Sequence, residues 1–225
     1  MSLQDTIKRR EKQKKRFTWN GVEVFVKDGL TNPEISAFAV LQKIGEKVPA
    51  HLFQNLDTIY IGDFDFFKQR NINAMYENSC IFVTNSQDNL NDMADDIVHE
   101  LAHSVEEIYK DTLYSDGRLE NEFIQKRKQL YSILSSENVE NLELGSFLNS
   151  SYEEQFDIFL EKEVGYPMLD MLTPNIFYSP YAATSLREYF ANGFEAFYFF
   201  EEPEFLQKFC PVLFEKLYST LEGER

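Results

Sequence analysis

The chain has 225 residues, 43% of them hydrophobic, with 21 Phe and 12 Tyr; this is enough for one compact domain with an aromatic-rich core. Its formal charge of -16 is uneven: Lys8, Arg9, Arg10, Lys12, Lys14, Lys15 and Arg16 face Asp5 and Glu11 in the first 16 residues, while residues 17–225 carry 15 basic and 36 acidic groups. An acidic body excludes nucleic acid or an anionic membrane as the main ligand, since phosphates are held by Lys and Arg, and two cysteines, Cys80 and Cys210, exclude a disulfide framework.

The acidic body suits a basic substrate or partner, or serves solubility alone. No stretch has the apolar core of a secretory signal, and no run approaches a membrane span. The expectation is a soluble protein of the cytoplasm, or one exported without a Sec signal; association with a virion fits the same features.

Residues 1–16 read as a basic flexible arm, either a docking tail for a protein partner, an acidic surface or nucleic acid, or a solvated terminus. Folding is expected to start near Phe17. Gly21–Lys27 (GVEVFVK) alternates and predicts a strand. Asn32-Pro33-Glu34 predicts a helix start, with Asn32 as cap and Pro33 in the first helical position, running to about Glu46. Residues 57–62 predict a second strand. Residues 73–84 predict two short strands around the turn-forming trio Glu77-Asn78-Ser79. A long amphipathic helix is predicted from about Asp88 to Lys110.

Beyond Gly117 the pattern is charged and helical to residue 164, with a polar break at Ser135-Ser136. Residues 165–183, with Pro167, Pro174 and Pro180, read as loop. Helices are predicted from about Ser185 to Phe200 and from about Pro203 to Leu221. Strands first and helices after predict an α+β fold, with a small N-terminal mixed sheet and a mostly helical C-terminal part. Residues 17–225 then form one domain: 17–110 holds the sheet and a motif-bearing helix, and 111–225 a helical subdomain.

That motif is His99-Glu100-Leu101-Ala102-His103, H-E-x-x-H. Residues four apart on a helix share a face one turn apart, so two imidazoles at that spacing can bind one cation. Glu100 follows the first imidazole and can take a proton from a metal-bound water. Ile97, Val98, Leu101, Ala102 and Val105 supply the apolar back face of the same helix. The bland alternative is a helix with two exposed histidines. A catalytic zinc takes three protein ligands and keeps an open position. No histidine follows His103, so the third ligand is a carboxylate or Cys210. Glu188, Asn192 and Glu195 form a polar stripe on an otherwise apolar helix containing Leu186, Tyr189, Phe190, Phe194 and Phe197. A carboxylate in such surroundings needs a partner. By spacing alone Glu188 is equally well the glutamate of a capping box opened by Ser185, and Glu195 competes as the ligand.

The stretch EYFANGFEAFYF, with HELAHSVEE upstream, resembles the anthrax-lethal-factor-type zinc peptidases, gluzincins that include the Pro-Pro endopeptidases. The resemblance covers residues 95–107 and 181–217, where Phe-Cys-Pro at 209–211 is similar to the family's closing helix region. It implies a zincin-like fold with Glu188 as third metal ligand. It also implies that Tyr181, seven residues earlier, donates a hydrogen bond to the reacting carbonyl oxygen. The stretch between His103 and Glu188 is longer than in these relatives, which implies an insertion within 111–180. Two imidazoles and a carboxylate favour Zn²⁺, with Co²⁺ and Mn²⁺ able to occupy the same site. Asn192, Glu106, Glu107 and Glu195 are candidates to orient a ligand. The implied function is a zinc-dependent metalloendopeptidase acting on a peptide or protein. The substrate would lie extended along a strand edge, for which Asn73–Tyr76 and Ile81–Thr84 are the candidates, the alternative being that both are ordinary sheet strands. The alternatives are a non-catalytic interaction protein on a zincin scaffold, such as a virion or secreted-complex component, and a toxin domain delivered into another cell.

Overall fold

The computed structural model describes residues 15–70 and 72–222, the side chains of 220–222 excepted. All but two residues of the expected basic arm lie outside that range. Met1–Ile108 and Tyr109–Arg225 are two compact units. The molecule is α+β: the sheet lies in the first unit, and the second is helical.

The first unit is built on five strands: β1 (Lys15–Trp19), β2 (Val22–Val26), β3 (Thr58–Gly62), β4 (Ala74–Glu77) and β5 (Cys80–Thr84). Their order is β1-β2-β3-β5-β4; β2, β3 and β5 run parallel, and β1 and β4 are antiparallel edges. Alternation decides the faces. Val22, Val24, Val26, Ile59, Ile61, Ile81 and Val83 are buried on one side. Phe25, Tyr60 and Phe82 form an aromatic row on the other, with ring centroids 6.0 and 5.0 Å apart. Both hairpins turn through consecutive left-handed residues, Asn20 and Gly21 in one and Asn78 and Ser79 in the other. That geometry matches the right-handed twist of the strands it joins.

Two expectations change here. Lys15 and Arg16, placed in the arm, belong to β1 and pair with Val26 and Phe25; the Asn20-Gly21 dipeptide was the overlooked hairpin signal. The helix expected to open at Asn32-Pro33 starts later, as α1 (Ala37–Lys47) with Ser36 at its N-cap position. Asn32 caps only a local turn: its Oδ1 accepts from the Glu34 N–H at 3.0 Å, and its Nδ2 donates to the Asp88 carbonyl at 2.9 Å. A short helix, α2 (Asp65–Arg70), precedes β4. The long helix, α3, runs Leu90–Tyr114. Asn89 caps it by accepting from the N–H groups of Asn91 and Asp92 at 2.8 and 3.1 Å.

In the second unit α4 (Arg118–Ser136) ends at the expected polar break. Then come α5 (Leu144–Leu148), α6 (Glu154–Ile158), α7 (Tyr166–Leu172), α8 (Leu186–Phe194), α9 (Pro203–Phe209) and α10 (Pro211–Lys216). Two corrections follow. Residues 165–183 are not all loop: Pro167 stands in the first turn of α7, where its missing N–H costs nothing. The last predicted helix is two, broken at Cys210-Pro211, because Pro211 cannot continue α9. Three side chains of α4 tie this unit together. Glu122 accepts from the Tyr189 hydroxyl at 2.9 Å and from the Val212 and Leu213 N–H groups at 2.8 and 3.1 Å, capping α10. Lys126 donates to the Ile176 and Phe209 carbonyls. Arg127 is fully buried over the Phe156 ring, 3.9 Å from its centroid, and donates to the Ser146 and Thr184 carbonyls.

Candidate metal centre

The motif helix forms as its pattern predicts. Ile97, Val98, Leu101, Ala102 and Val105 are all buried, so the opposite face carries His99, Glu100 and His103. The two imidazole centroids are 4.9 Å apart with planes nearly perpendicular, at 86°. His103 is buried, and its Nδ1 stands 3.5 Å from Glu106 Oε2 one turn on. A carboxylate at Nδ1 favours the proton there and leaves Nε2 as the lone-pair nitrogen.

Glu100 is held by the sheet. Its Oε2 accepts the Tyr76 backbone N–H at 2.6 Å, a charge-assisted bond from β4. The same tyrosine's hydroxyl donates to Glu107 Oε2 at 2.6 Å and accepts from Asn55 Nδ2 at 3.1 Å. Glu107 is therefore engaged on Tyr76. Asp96, one turn before His99 and Glu100, accepts from Gln87 Nε2 at 2.8 Å. Burial, reinforced by the charge of Glu100, pushes its carboxyl up to about 6 against that hydrogen bond. Neither Tyr76 nor Asp96 is marked by the motif. Asp96 is readable from its i, i+3 spacing to His99; Tyr76 carries no local signal.

On α8, Ser185 Oγ accepts the Glu188 N–H at 3.1 Å, so the capping residue is the one expected. Glu188 and Glu195 are both buried. Asn192, one turn after Glu188, accepts from the Ser179 hydroxyl and donates to the Glu188 carbonyl at 3.1 Å. Tyr181 opens the short turn Tyr181–Ala183. Burial, and then the Glu188 charge, raise its phenol far above the ordinary tyrosine value, so it stays a donor across the physiological range.

Among the described residues, the candidate metal-ligand group is His99 and His103 in the first unit and Glu188 in the second, each offering one donor atom. Cys210 is buried, its thiol raised chiefly by desolvation, and it is not in this group. Two imidazole nitrogens and one carboxylate oxygen are a donor set that fits Zn²⁺. No described helix is long and apolar enough to cross a membrane. Comparison with protein-family models, with curated proteins and with solved structures gave no match.

Proposed function

We propose that the chain is a zinc-dependent metalloendopeptidase with a zincin-like fold, of the kind its sequence resembles, in which His99, His103 and Glu188 hold the metal. The observation that supports this reading lies within the first unit: the imidazoles of His99 and His103 stand with ring centroids 4.9 Å apart on the motif helix, and Glu100 between them in the motif is fixed by the Tyr76 N–H. When bound, zinc supplies a Lewis acid that lowers the pKa of water towards about 7 and polarises a carbonyl.

The chain's own residues do the rest. Glu100, with one carboxylate oxygen fixed by the Tyr76 N–H, takes the proton of the attacking water on the other and returns it to the leaving amine. Tyr181 donates its phenolic hydrogen bond to the carbonyl oxygen as negative charge grows there. Glu106 holds the His103 ring by its Nδ1. The substrate strand lies along β4. This is an edge strand, whereas Ile81–Thr84 belongs to β5 and is flanked by β3 and β4, which removes it as a docking edge. The net negative charge of residues 17–225 favours a basic peptide.

The test is cleavage of a peptide library with and without a chelator, together with measurement of bound zinc. Glu100→Gln should lose about 10²–10⁴-fold in turnover while keeping its zinc. Glu188→Gln should lose the zinc itself. Cleavage that survives complete chelation, or purified protein that retains no zinc at neutral pH, would overturn the reading.

A further inference from the structure

Asn192 stands one turn after Glu188 and is buried, and both ends of its amide are used within the second unit. Its Nδ2 donates to the Glu188 carbonyl at 3.1 Å, and its Oδ1 accepts from the Ser179 hydroxyl. Ser179 leads into the turn that carries Tyr181. Its carbonyl and Oγ accept the Ala182 N–H at 3.2 and 3.4 Å. At the far end, Thr184 donates its N–H and hydroxyl to the Tyr181 carbonyl at 3.0 and 2.8 Å, and Arg127 donates to the Thr184 carbonyl at 3.3 Å. The turn is thus pinned before and after Tyr181, and the leading pin is fastened to the backbone of Glu188.

We propose that Asn192 is the positioning residue for Tyr181: through Ser179 it fixes the turn that aims the phenol and keeps that turn in register with Glu188. This rests on the peptidase reading, in which Tyr181 is the oxyanion donor. The physical need is strict, since a misplacement of about 1 Å at a reacting centre costs about 10²-fold in rate. Asn suits the task because its amide accepts from a hydroxyl on one side and donates to a carbonyl on the other; a carboxylate at 192 has no donor for Glu188.

The experiment compares Ser179→Ala, Asn192→Ala and Ser179→Thr in the wild-type and Tyr181→Phe backgrounds of the full chain, reading kcat, KM and bound zinc. The expected result is a loss of about tenfold in kcat for the two alanine variants, with KM and zinc unchanged. Ser179→Thr, which keeps the hydroxyl, should retain activity. In the Tyr181→Phe background the alanine variants should cause no further loss, because the group they aim is gone. An equal loss in both backgrounds would reduce Asn192 to a structural residue and overturn the proposal. Absence of any cleavage by the wild type would instead count against the peptidase reading. The placement of Tyr181 is then read alone: with 3-fluorotyrosine at position 181 in the metal-free chain, Ser179→Ala should shift the fluorine resonance, and an unshifted resonance overturns the proposal.

Discussion

Asp96 shows how much a single carboxyl can reveal about the motif helix. Its pKa is raised from 3.8 to about 6, chiefly by burial. The native state therefore binds more protons than the unfolded one between about pH 4 and 6, and stability falls as pH rises through that window. A rise of that size corresponds to about 3 kcal/mol, and solvent screening of a half-buried group brings this to the order of 2 kcal/mol. Asp96→Asn should remove that slope in the metal-free protein and raise its stability above pH 6; urea denaturation at pH 4.5 and 7 checks this. Tyr181 behaves in the opposite functional sense. Its raised pKa keeps the proton that the proposed oxyanion role requires, so no basic limb near neutral pH belongs to it. The shared face of His99, Glu100 and His103 was legible from spacing alone, because i, i+4 periodicity is a local property. The contacts of Tyr76 and Ser179 were not, since one acts through a backbone N–H on a residue 24 positions away and the other through a hydroxyl 13 positions from Asn192.

At the scale of elements, α8 and α10 meet at a glycine. A Cβ on Gly193 would stand 2.3 Å from Leu213 Cδ2 and 2.9 Å from its Cγ, inside contact distance. Gly193→Ala gains about 1 kcal/mol of helix propensity but must displace a buried leucine, which costs about 1–3 kcal/mol. The steric term wins: the variant should be less stable, and Leu213→Ala in the same chain should recover part of the loss, as measured by thermal unfolding of both. The sequence shows α8 as a glycine-containing amphipathic helix, and nothing local says which neighbour needs the missing Cβ. Element boundaries went astray for related reasons. Asn32-Pro33 has the composition of a helix start, yet its side chain bonds across to Asp88, so the local signal marks a turn held from a distance. Lys15 and Arg16 look like tail residues by charge and are strand residues by pairing with β2.

For the whole molecule the quantity that tests the proposed metal site is linkage between metal binding and folding. A cation that binds the folded chain alone stabilises it by about 2.7 kcal/mol at a free concentration one hundred times its Kd. The midpoint of thermal unfolding should therefore climb with free zinc in the wild type and stay flat in His99→Ala; a wild-type midpoint indifferent to zinc would contradict the proposed site. What the sequence by itself determined is whatever repeats along the chain. This includes the α+β class, the motif helix with its buried back face of Ile97, Val98, Leu101, Ala102 and Val105, and the hairpin turning at Asn78-Ser79. Tertiary structure alone decided that β4 rather than β5 is the open edge, that the Tyr76 N–H holds Glu100, and that Asn192 serves Ser179 and the Glu188 carbonyl. The reason is that periodicity and capping are properties of neighbouring residues, whereas strand order and hydrogen bonds across many positions arise when distant segments pair, and no short window of sequence contains both partners.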